Sequence, residues 1–278
     1  MKLHTIETGF FKLDGGAMFG VVPKSIWQKL NPPDENNLCS WALRCLLIED
    51  GNQLILIDNG IGDKQDAKFL SYYYLHGDDS LIKSLGKAGF SPADITDMFL
   101  THLHFDHCGG GVKRQGDKLA LTFPRATYWS NPEHWLWATQ PNAREKASFL
   151  KENILPMQDS GQLRMAYADQ ASPLTSMDIF YVNGHTEKMM LPMITYKGTT
   201  VCYMADLIPS VGHIPVPYVM GYDTRPLLTM EEKDKFLRLA ADNGYVLYFE
   251  HDPVHECCTV KHTDKGVRVD RTFRLADL

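Results

Sequence analysis

Three histidines and an aspartate crowd into six positions of the stretch THLHFDHCGG, Thr101 to Gly110, and the apolar run DMFL leads directly into them. Imidazole and carboxylate are the usual nitrogen and oxygen donors for a divalent metal ion. On extended chain alternate side chains point the same way, so His102 and His104 can face one ion together. Asp106 and His107 follow where extended geometry no longer holds and would project elsewhere, toward a second ion. Gly109 and Gly110 then let the backbone turn tightly away. Cys108 sits among four better donors and reads as a small buried side chain, not as a ligand.

Three later positions repeat one arrangement, an apolar strand that stops at a ligand-type residue. DIFYVNGH stops at His185, TTVCYMAD at Asp206 and YVLYFEH at His251. In layered folds active sites gather where strands give way to loops. Each residue taken singly is explained by a polar cap on a strand. Their combination with H-x-H-x-D-H points instead to a metal centre.

The elements that must position these donors are also legible. WALRCLLIED and QLILIDNG read as two strands around a tight turn at Asp50, Gly51 and Asn52. DDSLIKSLGKAGF reads as a helix, and SPADI as a short helical turn with Ser91 capping and Pro92 in the first position, delivering the chain into the strand DMFLT. Residues 131–163 read as a mostly helical insertion, unusually aromatic, with His134, Trp135, Trp137 and Phe149. MLPMITYKG is a further strand. A later helix is expected from Thr229, with Glu232 completing a capping box and Phe236, Leu239 and Ala240 on one face, ending near Asn243 and Gly244. Strands and helices alternate in two halves, which suggests two sheets covered by helices.

With 278 residues, 44% hydrophobic and 22% charged, the chain has the composition of an ordinary globular protein, and one domain over 1–278 is expected. A formal net charge of −6 without basic clusters argues against nucleic acid or an anionic membrane as partner, and favours a small neutral or apolar substrate. No apolar stretch of signal-peptide or membrane-spanning length stands out, so a cytoplasmic location is the expectation. Oligomeric state is not legible, and a homodimer is compatible with everything above. The six cysteines, at 39, 45, 108, 202, 257 and 258, include no C-x-x-C pair and read as buried reduced thiols.

THLHFDH, NGHT, MAD and EHD, in this order and at these separations, resemble the metal motifs of the metallo-β-lactamase superfamily over nearly the whole chain. The resemblance implies an αββα four-layer sandwich with two metal ions in a cleft at the strand ends. It implies His102, His104 and His185 on the first ion, Asp106, His107 and His251 on the second, and Asp206 bridging both. LIDNG resembles the family's strand ending in aspartate, which makes Asp58 the orienting partner of a ligand histidine. The ions implied are divalent, zinc foremost.

Departures from the pattern narrow the subgroup. Zinc β-lactamases of the commonest subclass carry cysteine at the position of Asp206, and oxygen-reducing di-iron members carry glutamate at that of His104. Glyoxalase II enzymes add a helical C-terminal domain, whereas only residues 252–278 follow His251 here. The usual GHTPGH is GHTEKMM in this chain. What remains is similar to the N-acyl-homoserine lactonases and their relatives that cleave organophosphate esters. FKLDGGAMFGVVPKSIW resembles the segment that lies over the metal cleft in such lactonases, so Met18, Phe19 and Trp27, with Trp135 and Phe149 of the insertion, become the expected walls for an acyl chain.

The expected reaction is opening of a lactone ring. Two metals about 3.5 Å apart would share a water of lowered pKa as nucleophile and polarise the carbonyl, while Asp106 passes a proton to the leaving oxygen. Homoserine lactonases place a tyrosine near the bridging aspartate, and Pro209 stands there in this chain. His213, Tyr218 and Tyr222 are the available substitutes, with His213 preferred because neutral imidazole can donate to an oxyanion. Two other readings stay open at this point: an organophosphate or aryl ester hydrolase, and a non-catalytic metal-binding scaffold.

Overall fold

A computed structural model describes residues 1–278. The strands are β1 (Lys2–Asp14), β2 (Leu38–Asp50), β3 (Gln53–Ile57), β4 (Asp97–Phe99), β5 (Val112–Gln115), β6 (Lys118–Leu121), β7 (Thr127–Ser130), β8 (Leu163–Met165), β9 (Asp178–Val182), β10 (Met189–Tyr196), β11 (Thr199–Tyr203), β12 (Val246–Tyr248), β13 (Cys257–Thr263) and β14 (Gly266–Phe273). The helices are α1 (Gly15–Phe19), α2 (Lys24–Trp27), α3 (Ala67–Ser71), α4 (Leu81–Lys87), α5 (Phe105–Cys108), α6 (Pro132–Thr139), α7 (Lys151–Asp159) and α8 (Pro226–Asn243). The chain divides into two compact units, one of Met1–Gly9 with Leu43–Thr175, the other of Phe10–Ala42 with Ser176–Leu278. No helix is long and apolar enough to cross a membrane.

The first unit is built on the six-stranded sheet of order β1-β2-β3-β4-β7-β8, with residues 2–9 of β1 and 43–50 of β2. β2 and β3 form the expected hairpin, antiparallel from Leu46↔Ile57 to Asp50↔Gln53, with Gly51 at φ +57 closing the turn. The left-handed conformation costs glycine little, which is why the turn falls there. β3, β4, β7 and β8 run parallel. β4 is buried throughout, as an interior parallel strand must be, and its Met98 joins Leu47, Leu56, Leu100, Tyr128 and Met157 in the core.

The second unit holds the other six-stranded sheet, of order β14-β13-β12-β11-β10-β9. Its only parallel pair is β11 with β12, in register Tyr203↔Tyr248, and those two rings stack at 5.7 Å. α8 packs by Phe236, Leu237 and Ala240, all fully buried, with Phe180 of β9 against Phe236 at 5.3 Å. Gly244, at φ +64, ends the helix where expected.

Several local expectations are revised. α8 begins at Pro226, three residues before Thr229, because proline suits the first turn of a helix. Glu232 therefore caps nothing in its own helix; its carboxylate accepts the backbone N–H groups of Asn183 (2.7 Å) and Gly184 (2.9 Å), just ahead of His185. SPADI makes the expected turn, but Ser91 does not cap it as an acceptor: its amide and hydroxyl both donate to Asp94 Oδ2. Residues 131–163 are helical in α6 and α7 only, with turns through 140–150. All six cysteines are free and buried.

Candidate metal centre

Four ligand-type residues stand at one distance from four strand ends: His102 after β4 ends at Phe99, His185 after β9 ends at Val182, Asp206 after β11 ends at Tyr203, and His251 after β12 ends at Tyr248. Each is the third residue past its strand. The parallel register of β11 and β12 carries Asp206 and His251 outward side by side, and the carboxylate meets the ring there: Asp206 Oδ1 lies 3.2 Å from His251 Nε2. Ala205, just before Asp206, sits at φ +41, a left-handed conformation that strains an alanine and that packing must hold.

His102 and His104 follow the bend at Thr101 that ends the run of β4 and converge, Nε2 of the first 3.1 Å from Nδ1 of the second. α5 then carries Asp106 and His107. Gly109 and Gly110 are required for close approach and not for turning freedom: a Cβ at Gly109 would lie 2.0 Å from the Ile61 carbonyl oxygen and one at Gly110 2.2 Å from that of Asn59. The first unit thus holds His102, His104, Asp106 and His107 in one short stretch, and within the second unit Asp206 Oδ2 lies 3.0 Å from His185 Nε2. Every donor but Asp106 is buried.

The outer nitrogen of each histidine is held, and the partner fixes the tautomer. His107 Nδ1 donates to Asp58 Oδ2 (3.1 Å), His185 Nδ1 to Asp223 Oδ1 (2.9 Å) and His251 Nδ1 to the Ala42 carbonyl (2.8 Å). Thr101 Oγ1 gives its proton to Asp58 Oδ2 (2.6 Å) and so accepts from His102 Nδ1 (3.1 Å). His104 is reversed, its Nε2 facing Glu145 Oε1 at 3.3 Å. In all five rings the inward nitrogen is thereby left with a lone pair, four through Nε2 and His104 through Nδ1. Two such lone pairs 3.1 Å apart repel unless a proton or a cation joins them, so the donors present fit divalent ions. His185 feels the same field: burial opposes its charging, yet the charge of Asp206 and hydrogen bonds to Asp206 and Asp223 raise its pKa to about 10, so without an ion a proton stands on Nε2 in the place a cation would take.

The other expected site residues divide. Phe149 is buried with its ring 4.8 Å from that of His104, and half-buried Trp135 packs on the same core. Phe149 also lines a cavity of about 670 Å³, walled by Ala138, Leu150, Ile154 and Leu155 and rimmed by Lys146 and Glu152. Met18, Phe19 and Trp27 are fully buried within the second unit, Phe19 stacked on Trp27 at 5.5 Å and on His213 at 4.3 Å. Both nitrogens of His213 are engaged, Nδ1 with Ser210 Oγ (2.7 Å) and Nε2 with the Met18 carbonyl (2.8 Å). Burial pushes its pKa down to about 3, Lys233 adding to the effect. The neutral ring thus spends its one N–H on Met18 and has none for a substrate oxyanion while that bond is kept. Tyr222 is exposed.

Asp223 and Glu145 are missing from the sequence reading, and His134, read there only as part of the aromatic insertion, accepts the Leu103 amide between the two histidines through Nε2 at 2.9 Å. No spacing rule marks them, since each lies more than 30 residues from the group it touches.

The metallo-β-lactamase superfamily profile matches residues 44–158, through the histidine motif. The chain is 26% identical to an N-acyl homoserine lactonase of Bacillus cereus over 264 residues, 90% of this chain and 93% of the relative. A probable metal-dependent hydrolase from Staphylococcus aureus superposes with a TM-score of 0.88 at 27% identity, covering 98% of this chain and 96% of that one. AidC, a dizinc quorum-quenching lactonase solved with its product N-hexanoyl-L-homoserine, gives 0.78 at 25% identity, covering 98% and 95%. The profile match over 44–158, a fold shared end to end and a donor set suited to divalent ions agree: the chain has the metallo-β-lactamase fold and is similar to metal-dependent hydrolases of that superfamily.

Proposed function

We propose that the chain opens the ring of N-acyl-homoserine lactones at a centre of two divalent ions, zinc in the first instance, with residues 1–278 working as one domain. In this reading His102, His104 and His185 hold one ion, Asp106, His107 and His251 the other, and Asp206 both. The observation that carries it is the Asp206 carboxylate, with Oδ2 3.0 Å from His185 Nε2 and Oδ1 3.2 Å from His251 Nε2, one oxygen toward a member of each group. Mixed imidazole and carboxylate donors suit zinc, and a dizinc lactonase among the similar structures supports the choice.

Two such ions would supply a Lewis acid for the carbonyl and a water of lowered pKa. The chain's own residues do the rest. Asp106, the most solvent-open of the seven donors with its side chain 13% exposed, carries the proton to the leaving oxygen. Tyr222, on the exposed segment next to Asp223, offers the substrate a phenol O–H, while His213 fixes the Met18 carbonyl and the stacked rings beneath it. Phe149 and Trp135 supply apolar wall. The role that follows is quorum quenching on a small diffusible lactone in the cytoplasm.

The test is hydrolysis of an acyl-homoserine lactone series by the metal-replete protein, followed by titration of the released acid. Ring opening that tracks bound metal is the expected result. Protein that binds two ions and leaves every lactone intact overturns the substrate; faster turnover of paraoxon than of any lactone makes it a phosphotriesterase instead.

A further inference from the structure

Glu145 lies in the irregular stretch between α6 and α7, in a run, NAREK, that resembles solvated surface charge. It is nevertheless 3% exposed. A carboxylate taken out of water needs partners for both oxygens. Its Oε2 accepts from Trp137 Nε1 and Asn142 Nδ2, each at 2.6 Å, and its Oε1 faces His104 Nε2 at 3.3 Å. The turn is preset for this: Asn142 Oδ1 takes the backbone amides of Arg144 and Glu145, and the Ser148 carbonyl accepts the amide of Phe105, the residue after His104.

We infer that Glu145 is a positioning residue of the metal centre: by accepting the Nε2–H of His104 it keeps the Nδ1 lone pair turned to the ion, which makes the 137–148 segment part of that centre. The inference rests on the reading of His104 as a ligand. Alone among the five rings His104 uses Nδ1 inward, so its tautomer must be the reverse of the others, and an acceptor at Nε2 secures it. Two short donors pin Oε2, so the carboxylate cannot rotate away without breaking both.

The same geometry predicts an unusual consequence of a mild substitution. In Glu145→Gln the amide oxygen is claimed by Trp137 and Asn142, so the amide NH2 is turned to His104 Nε2. That nitrogen must then accept, its proton moves to Nδ1, and the ligand lone pair is lost. The experiment is chelator competition on the metal-loaded wild type, Glu145→Gln and Trp137→Phe, with cobalt(II) absorption spectra and melting of the metal-free proteins. Glu145→Gln should lose about 10–100-fold in affinity for one of the two ions, with that site's cobalt spectrum altered and the other ion held as before. Trp137→Phe, which removes only one donor to Oε2, should move in the same direction by less, and it decides the matter should Glu145→Gln not fold. Wild-type affinity and spectrum in both variants overturn the inference, as does an equal loss of both ions accompanied by lower metal-free melting, the mark of a merely structural role. A wild-type protein that binds no ion instead overturns the ligand reading of His104, before any variant is compared.

Discussion

Nδ1 of His185 lies 2.9 Å from Oδ1 of Asp223, across the ring from the Asp206 carboxylate. Asp223 is itself fixed, its Oδ2 accepting the Met220 amide at 3.0 Å. The amide claims the oxygen that an asparagine would keep, so Asp223→Asn should present NH2 to His185 and force the wrong tautomer. Metal affinity should fall by about 10–100-fold, read by chelator competition. Unchanged affinity would show that the ring is oriented by its packing alone.

Asp206 is predicted to matter more, because it is the donor with one oxygen toward each group. Asp206→Asn keeps the shape and removes the charge that balances two adjacent cations. Turnover should drop at least about 100-fold, as for loss of a supporting metal interaction. A fully active, metal-replete variant would reduce Asp206 to a strand cap.

Removing the metal should remove both activity and stability. Purified protein is expected to hold close to two ions per chain by elemental analysis. Chelation should abolish hydrolysis and lower the melting temperature, since at free metal near 100 times Kd each site adds about 2.7 kcal/mol to the folded state. A melting curve indifferent to chelator, in protein with only trace metal, would contradict the dinuclear reading.

What was legible in the sequence is what is local. His102, His104, Asp106 and His107 announce themselves because strand and helical-turn geometry converts spacing directly into direction. The strand ends before His185, Asp206 and His251 are visible because the apolar runs stop there. The residues that orient these donors are illegible for the opposite reason: Glu145 and Asp223 reach their rings through tertiary contacts 41 and 38 residues along the chain. Glu232 illustrates the competition in one side chain. Local pattern assigns it to a capping box with Thr229, but Pro226 starts the helix earlier and the carboxylate is used by the amides before His185. The aromatic reading failed to separate roles in the same way, since burial of Phe19 and Trp27 and the near approach of Phe149 to His104 depend on packing that no spacing encodes.

His213 makes a pH prediction. Its folded pKa, near 3, lies below the unfolded value of about 6.5, so between those limits the unfolded chain binds the extra proton. Its contribution is fully present above about pH 6.5 and is lost as the pH falls toward 3. In metal-free protein His213→Gln, which cannot charge, should show a shallower loss of stability over that window, by at least about 1 kcal/mol in the difference between pH 6.5 and pH 4. Parallel acid profiles in urea unfolding would show that the ring can charge where it sits.

Substrate preference is the last prediction. Metal chemistry of this kind acts on lactones and phosphotriesters alike, so selection between them must come from the walls. The cavity of about 670 Å³ bounded by Ala138, Phe149, Leu150, Ile154 and Leu155 offers apolar surface, and Phe149 links it to the ring of His104. Each methylene buried there contributes up to about 0.8 kcal/mol, so lengthening an acyl chain by four carbons should raise kcat/KM by up to roughly two orders of magnitude. A triester with small alkoxy groups gains little from such a wall. Leu155→Ser tests the place as well as the preference: it alters the cavity without touching a metal donor, and should depress kcat/KM for long-chain lactones while sparing short ones. Equal values across chain lengths in the wild type would remove the cavity from the substrate's path, and a uniform loss in Leu155→Ser would assign that residue to stability instead of specificity.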